Sequence, residues 1–188
     1  MKFIFLENMK KILTLITIVA LVACKEKEKQ TISEKQNQSI KSAEASVEDV
    51  TLDVYDFNGL EKLLSTQSNK TYVVNFWATW CKPCVKELPY FEKLRANYQD
   101  KNVELLLVSL DFPNKYDSKL KPFIKEHNIQ SKVVALDDPD MNTWIPKVDE
   151  SWTGAIPATI IFNKNKRKFF EQSFTYEELE NELQPFLN

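Results

Sequence analysis

Glycine is almost absent: Gly59 and Gly154 are the only two in 188 residues. A loop that cradles phosphates needs several glycines within a few positions, so P-loop and dinucleotide sites are excluded, and hydride and phosphoryl transfer lose their usual scaffold. Histidine occurs once, as His127, and cysteine three times. Cys24 ends an apolar run while Cys81 and Cys84 lie deep in patterned sequence, which is not an even framework of structural disulfides. Neither sign of charge dominates. The formal net of −2, with basic runs interleaved among acidic ones, offers no electrostatic reason for a nucleic-acid partner. Long hydrophobic runs are missing too: Ile12 to Ala23 spans twelve residues, short of the roughly 20 that a membrane-spanning helix needs.

What is present begins with that run. Lys10 and Lys11 precede it, and a basic segment followed by a short apolar one is the pattern of a secretory signal, more compact still if translation starts at Met9. Leu21-Val22-Ala23-Cys24 resembles the lipobox of bacterial lipoproteins, in which the cysteine is acylated and becomes the new N-terminus; the competing account is an ordinary buried thiol. Cleavage before Cys24 removes Lys2, Lys10, Lys11 and Glu7 and takes the net charge to about −4. Residues 24–49 then hold the lipidated cysteine and a Lys/Glu/Gln/Ser stretch too polar to offset its ordering entropy, a disordered tether with a span of roughly 25 to 30 Å. The alternating charges of Lys25 to Lys29 suit a solvated spacer, or a sorting signal between membranes. The expected organisation is a signal peptide over 1–23, the tether over 24–49 and one globular domain over 50–188. Hydrophobic residues at 43% and aromatics at 12% suffice for one packed core in a domain of that length.

Within the domain, Val50 to Tyr55 reads as a short strand, and Leu60, Leu63 and Leu64 set a helical face after it. Thr71 to Ala78 is rich in β-branched and aromatic residues, as in a central strand buried on both faces. It runs directly into Cys81. From Lys82 to Tyr98 the apolar positions Val85, Leu88, Phe91, Leu94 and Tyr98 recur at helical spacing. Val103 to Leu110 is a second apolar strand; Leu120, Phe123, Ile124 and His127 mark a helix starting near Asp117 or restarting with Pro122 in its first turn. Val133 to Leu136 is a short strand, followed by an irregular stretch to Pro157. Ala158 to Phe162 and Lys166 to Ser173 flank Asn163-Lys164-Asn165 as a hairpin, and Thr175 with Glu178 forms a capping box for a last helix bearing Leu179, Leu183 and Phe186. Strands separated by helices, then a hairpin and a closing helix, give an α/β fold with a mixed sheet and helices on both faces.

With Trp80-Cys81-Lys82-Pro83-Cys84 at a strand-to-helix junction, the sequence resembles the thioredoxin superfamily, and within it the membrane-anchored TlpA/ResA-like thiol:disulfide oxidoreductases. The likeness covers roughly Thr51 to Leu187. It is carried as well by Pro89, where the family kinks this helix, by Glu87, and by Ile156-Pro157, where the family has a cis-proline. A lone C-x-x-C is a weak signal; these four features together are specific. Two departures stand out. Thioredoxin has a buried aspartate six residues before the first cysteine, and here that position is Asn75, which makes Glu87 the candidate proton carrier. The residue before the cis-proline is often threonine, and here it is Ile156.

Disulfide exchange needs a thiolate that reaches a partner's sulfur and a second thiol that releases the mixed disulfide. Cys81 at a helix N-terminus meets the positive end of the helix dipole, with Lys82 adding charge, so it is the expected attacking thiol. Cys84, a turn deeper, is the expected resolving thiol. Glu87 shares its face three residues on; the resemblance implies that it carries Cys84's proton, against the simpler account of a solvated helix glutamate. Pro157, if cis, exposes the backbone at Ile156 to an extended substrate segment, the alternative being a strand-entry proline. Trp80, Lys82 and Pro83 border the site. Trp144 and Trp152 are either part of an apolar docking surface around Cys81 or core residues, and Trp77 is core in both cases.

The resemblance implies an envelope enzyme, anchored to a membrane by lipid on Cys24 and facing outward from the cytoplasm. It would reduce disulfides of exported proteins, as relatives do in cytochrome c maturation. Its only cofactor would be the Cys81–Cys84 disulfide itself, with no metal, a membrane-embedded thiol electron donor and a monomeric state. Lys82-Pro83 lacks the histidine of strongly oxidising relatives, which favours reduction. Competing functions are a copper metallochaperone, which two thiolates permit chemically although such relatives space their cysteines as C-x-x-x-C, and a disulfide oxidase or peroxidase.

Overall fold

A computed structural model of the protein describes residues 50–187; the expected signal peptide, Cys24 and tether lie outside the described residues. The chain runs β1 (Asp53–Tyr55), α1 (Phe57–Leu64), β2 (Thr71–Trp77), α2 (Lys82–Tyr98), β3 (Val103–Ser109), α3 (Lys121–Glu126), β4 (Lys132–Leu136), α4 (Met141–Val148), β5 (Ala158–Phe162), β6 (Arg167–Phe170) and α5 (Tyr176–Leu183). The strands form one mixed sheet in the order β1-β4-β3-β2-β5-β6. The first four are parallel to one another, and β5 and β6 are antiparallel additions, so the helical crossovers precede the hairpin as the pattern implies.

Alternation along β2 assigns its side chains. Val73 and Trp77 pack with Cys84, Leu88, Phe91 and Leu94 of α2, Leu120 and Ile124 at α3, and Leu179 and Leu183 of α5. Val74 and Phe76 point the other way, to Phe57, Leu60 and Leu64 of α1 and Trp144 and Val148 of α4. Each face is thus covered by helices, which explains why the central strands read as continuous apolar runs.

Local chemistry fixes the ends. Asp56 caps α1 by accepting from Gly59 N at 2.8 Å. A Cβ at Gly59 would lie 2.8 Å from the Tyr55 ring, so this close approach requires glycine. The capping box at α5 forms as expected, Thr175 and Glu178 satisfying each other's backbone N–H groups. Before α3, residues Tyr116–Leu120 form a π-helical turn in which Lys121 N reaches back to Tyr116 O. Pro122 has no N–H to offer and its ring crowds the preceding turn, so the ladder widens by one residue there. Both expected starting points for this helix are therefore real features of one segment.

Three boundaries differ from expectation. The first strand is only Asp53–Tyr55, the part that β4 pairs. The last strand stops at Phe170, because Glu171 turns to the Thr153–Ala155 loop and Phe174 N to Glu87 instead of continuing the ladder. The stretch before Pro157 is not irregular throughout: it contains α4, eight residues with Pro146 inside. Its sequence signal is faint because only Trp144 and Val148 are buried along it.

Candidate active site

The parallel strands end at one edge of the sheet, the edge where an α/β fold collects functional groups. β2 stops at Trp77, a tight turn follows with Cys81 N donating to Ala78 O at 3.1 Å, and α2 begins at Lys82. Cys81 is the N-cap of α2. Its sulfur accepts from Cys84 N at 3.3 Å and is bonded to the sulfur of Cys84, the two Cα atoms being 5.3 Å apart. Pro83 sits in the first turn, where its missing N–H costs nothing. Cys84 is fully buried and Cys81, at the helix end, is 6% exposed, the less buried of the two.

Across from it, the Ile156–Pro157 peptide bond is cis. The Ile156 carbonyl oxygen lies 3.7 Å from the Cys81 sulfur, which places that backbone beside the reactive atom. Ile156 is half-buried and Pro157 buried. Trp80 is exposed, as are Lys82 and Pro83. Trp144 and Trp152, by contrast, are not at the dithiol: both are buried in the core on the α1/α4 side, with ring centroids 5.6 Å apart. Trp77 is core. His127 is exposed and stacked on Phe123.

Glu87 is 1% exposed, one turn beyond Cys84 on the same helix. One carboxylate oxygen accepts from Asn75 Nδ2 at 3.2 Å and the other from Phe174 N at 2.8 Å. Burial disfavours its charge and pushes its pKa up to about 7, against the opposing pull of those two hydrogen bonds. Asn75 also donates to Thr159 Oγ1 at 3.1 Å and faces Ala158 O at 3.4 Å, while its own Oδ1 is buried without a partner. The position that departs from thioredoxin's aspartate is thus in direct contact with the buried carboxyl three residues past Cys84. A group that exchanges a proton near neutrality next to a buried thiol has the placement of a general acid or base.

Sequence reasoning missed two further carboxylates that hold the loops meeting here. Asp111, just beyond β3, accepts from Thr79 N and Thr79 Oγ1. Glu171 accepts from Thr153 N at 3.1 Å, from Ala155 N at 2.9 Å and from Thr153 Oγ1. An acidic residue at the end of an apolar parallel strand was a usable signal for Asp111; Glu171 had none, because its partners lie 16 and 18 residues away across a loop. Phe112 and Met141 were also missed. They are exposed, and together with Trp80 they put an exposed apolar side chain on each segment that follows β2, β3 and β4.

Residues 43–167 match the AhpC/TSA family. The chain belongs to that family. Among curated relatives, the thiol-disulfide oxidoreductase ResA of Bacillus cereus is 31% identical over 134 residues, covering 70% of this chain and 72% of the relative. ResA of Geobacillus thermodenitrificans is 29% identical over 131 residues, covering 69% and 70%. Among solved structures, a thiol:disulfide interchange protein of the thioredoxin family from Chlorobium tepidum superimposes with a TM-score of 0.53 at 20% identity, over 64% of this chain and 81% of that one. At that identity the likeness establishes the thioredoxin fold, in agreement with the mixed sheet and its two helical layers.

Proposed function

We propose that this AhpC/TSA-family chain is a thiol:disulfide oxidoreductase that reduces disulfides of exported proteins, with Cys81 attacking and Cys84 resolving. One observation carries the reading: the less buried of two cysteines caps a helix, is bonded to a fully buried cysteine in the same turn, and lies beside the carbonyl of Ile156. In the dithiol form, the helix N-terminus and Cys84 N favour a thiolate on Cys81. That thiolate attacks one sulfur of a substrate disulfide, forming a mixed disulfide and expelling the other substrate sulfur as a thiolate. Cys84 gives its proton to Glu87 and attacks Cys81 Sγ, expelling the second substrate thiolate. The substrate has gained two electrons and the chain is left with the Cys81–Cys84 bond. A thiol donor, membrane-embedded in this reading, then returns two electrons.

Exposed apolar groups on the segments after β2, β3 and β4, at Trp80, Phe112 and Met141, together with the Ile156 backbone, support a polypeptide substrate docked in extended form. Family membership by itself leaves peroxide as an alternative oxidant. The residues argue against it, because Ala78 and Val74 stand where a peroxidatic P-x-x-x-T-x-x-C pattern around Cys81 has threonine and proline. Attachment through lipid on Cys24 completes the reading. A Cys24→Ala variant should stay redox-active yet move from the membrane pellet to the soluble fraction; persistence in the pellet after a carbonate wash would remove the anchor.

The test is insulin reduction together with trapping. Cys81→Ser should lose at least about a thousandfold in rate and capture nothing. Cys84→Ser should attack and stall, accumulating mixed disulfides that run as larger bands on a non-reducing gel and vanish with reductant. Complexes with Cys81→Ser instead would reverse the assignment, and tight copper retention without reductase activity would replace the enzyme with a metallochaperone.

A further inference from the structure

Next to the turn that carries the dithiol lies a carboxylate that the exchange steps do not use. Asp111 is 2% exposed. Its Oδ2 accepts from Thr79 N at 3.0 Å and Ser109 Oγ at 2.9 Å, and its Oδ1 from Thr79 Oγ1 at 2.5 Å. The Thr79 amide must donate to it and both hydroxyls are placed to do so, three donors that an ionised carboxylate accepts from together. These partners are two hydroxyls and one amide. Thr79 lies inside the turn closed by Cys81 N and Ala78 O, so the grip on Thr79 fixes the whole approach of the chain to Cys81.

Fixing a turn does not in itself call for a charge, since an asparagine would accept from the same donors with one oxygen. What the carboxylate adds is a buried anion just beyond β3, bonded to Thr79 two residues before Cys81 and on the order of 10 Å from the attacking sulfur. A negative charge there acts against the helix N-terminus and Lys82, which favour the thiolate. Destabilising the thiolate destabilises the reduced state relative to the disulfide, and a less stable reduced state gives up its electrons more readily.

We propose that Asp111 is a positioning residue that both holds the Thr79–Cys81 turn and, through its buried negative charge, disfavours the Cys81 thiolate and so keeps the couple on the reducing side. The proposal rests on Cys81 being the attacking thiol, as above, and explains direction, which the C-x-x-C pair alone does not. The other groups facing this region can be separated from it. Tyr116 faces Asp111 and Asp137; burial first, then those two charges, push its phenol up to about 12, so it stays neutral over the working range. Lys82 is exposed on the first turn of α2. Glu87, pushed up to about 7 on the Cys84 side, titrates in the same window and must be silenced.

The experiment therefore compares Asp111→Asn and Thr79→Val in both the wild-type and the Glu87→Gln background. The pH dependence of alkylation by iodoacetamide reports Cys81, with the modified cysteine located by mass spectrometry, and the redox equilibrium with glutathione is measured at pH 6 and pH 9. Asp111→Asn should lower the Cys81 pKa by about one unit. Above the Cys81 pKa of both proteins it should favour the reduced protein about tenfold, a potential about 30 mV less negative, and the difference should shrink as pH falls toward and below those values. Thr79→Val removes one anchoring bond but keeps the charge, so its Cys81 pKa should stay level or rise; this arm stands even if Asp111→Asn fails to fold. An unchanged Cys81 titration in folded Asp111→Asn, or the same fall in Thr79→Val, would overturn the proposal. Alkylation at Cys84 rather than Cys81 would instead overturn the assignment of the attacking thiol on which it rests.

Discussion

The face of the sheet under α1 and α4 and the face under α2, α3 and α5 differ in how they treat polar atoms. Under α1 and α4 the buried set is apolar from Phe57 to Phe162, and its two tryptophans satisfy their ring N–H groups, Trp144 on Asp138 O at 3.0 Å and Trp152 on Ala155 O at 2.8 Å. Under α2 and α3 the core takes in Glu87, and Asn75 Oδ1, Trp77 Nε1 and Tyr116 Oη are buried there without hydrogen-bond partners. Each such group costs stability. A sequence tolerates that cost where the groups serve another purpose, and all of these lie on the side of the sheet that holds Cys84. One face secures the fold so that the other can carry an unfavourable but reactive arrangement.

The sharpest way to break this contrast is to damage the apolar face. Trp144→Ala removes a 3% exposed side chain stacked against Phe57 and edge-on to Trp152. It should cost about 3 to 5 kcal/mol of stability, read by denaturant unfolding of the oxidised protein, while the folded fraction reduces insulin within about twofold of wild type. A tenfold loss of activity in protein that is still folded would mean the two faces are not separable.

Glu87→Gln should do the reverse, improving stability and harming chemistry. The carboxyl is pushed up to about 7 from 4.5, so its contribution to stability is fully present below pH 4.5 and is lost as pH rises through 7. The size is about 3 kcal/mol. Oxidised wild type should weaken by that order between pH 4.5 and pH 8, and Glu87→Gln should not. The glutamine fits if the Asn75 amide turns over, its Oδ1 then accepting from the new amide N–H and from Thr159 Oγ1 at the expense of the 3.4 Å bond to Ala158 O. Reductase activity should fall about tenfold and lose the inflection near pH 7. Identical pH profiles, in stability and in rate, would make Glu87 an ordinary buried residue.

Much of this was legible in the chain. β2, α2 and the α5 capping box announce themselves through runs and spacings long enough to outweigh local noise, and the dithiol motif fixes where the site must be. Asn75, a polar residue inside an apolar strand, and Glu87, on the cysteine face of the helix, each stood out in sequence, while their direct pairing is seen only in the fold. Trp144 and Trp152 show the limit, because an aromatic suits a core and a docking rim equally and only the fold decides. Helix α4 was hidden by its length and by Pro146. Asp111 carried a faint signal, an acid at the end of an apolar strand, whereas Glu171 was hidden because a carboxylate that accepts from backbone across a loop looks, in sequence, like any exposed acid.

Glu171 gives the smallest of these effects and the finest test of how the site is held. It is half-buried at the end of β6, and its hydrogen bonds secure Thr153 and Ala155, the residues that lead into Ile156. Partial burial pushes its pKa up, but the hydrogen bonds from Thr153 and Ala155 outweigh it and the net shift is downward. A depressed carboxyl contributes stability above its unfolded pKa and loses it as pH falls through the folded one, so the loop should loosen only in acid, well away from the titration of Glu87. In Glu171→Gln the remaining oxygen can still serve Thr153 Oγ1 and Ala155 N, leaving Thr153 N unpaired. Global stability should change by about 1 kcal/mol or less. What should move is docking: the backbone at Ile156 is less well placed for a substrate strand, so KM for a disulfide-bearing polypeptide should rise about three- to fivefold with kcat nearly unchanged, and a small disulfide that makes no backbone contact should be reduced as before. Equal losses on both substrates would place the effect at the sulfur atoms and not at the strand-docking loop.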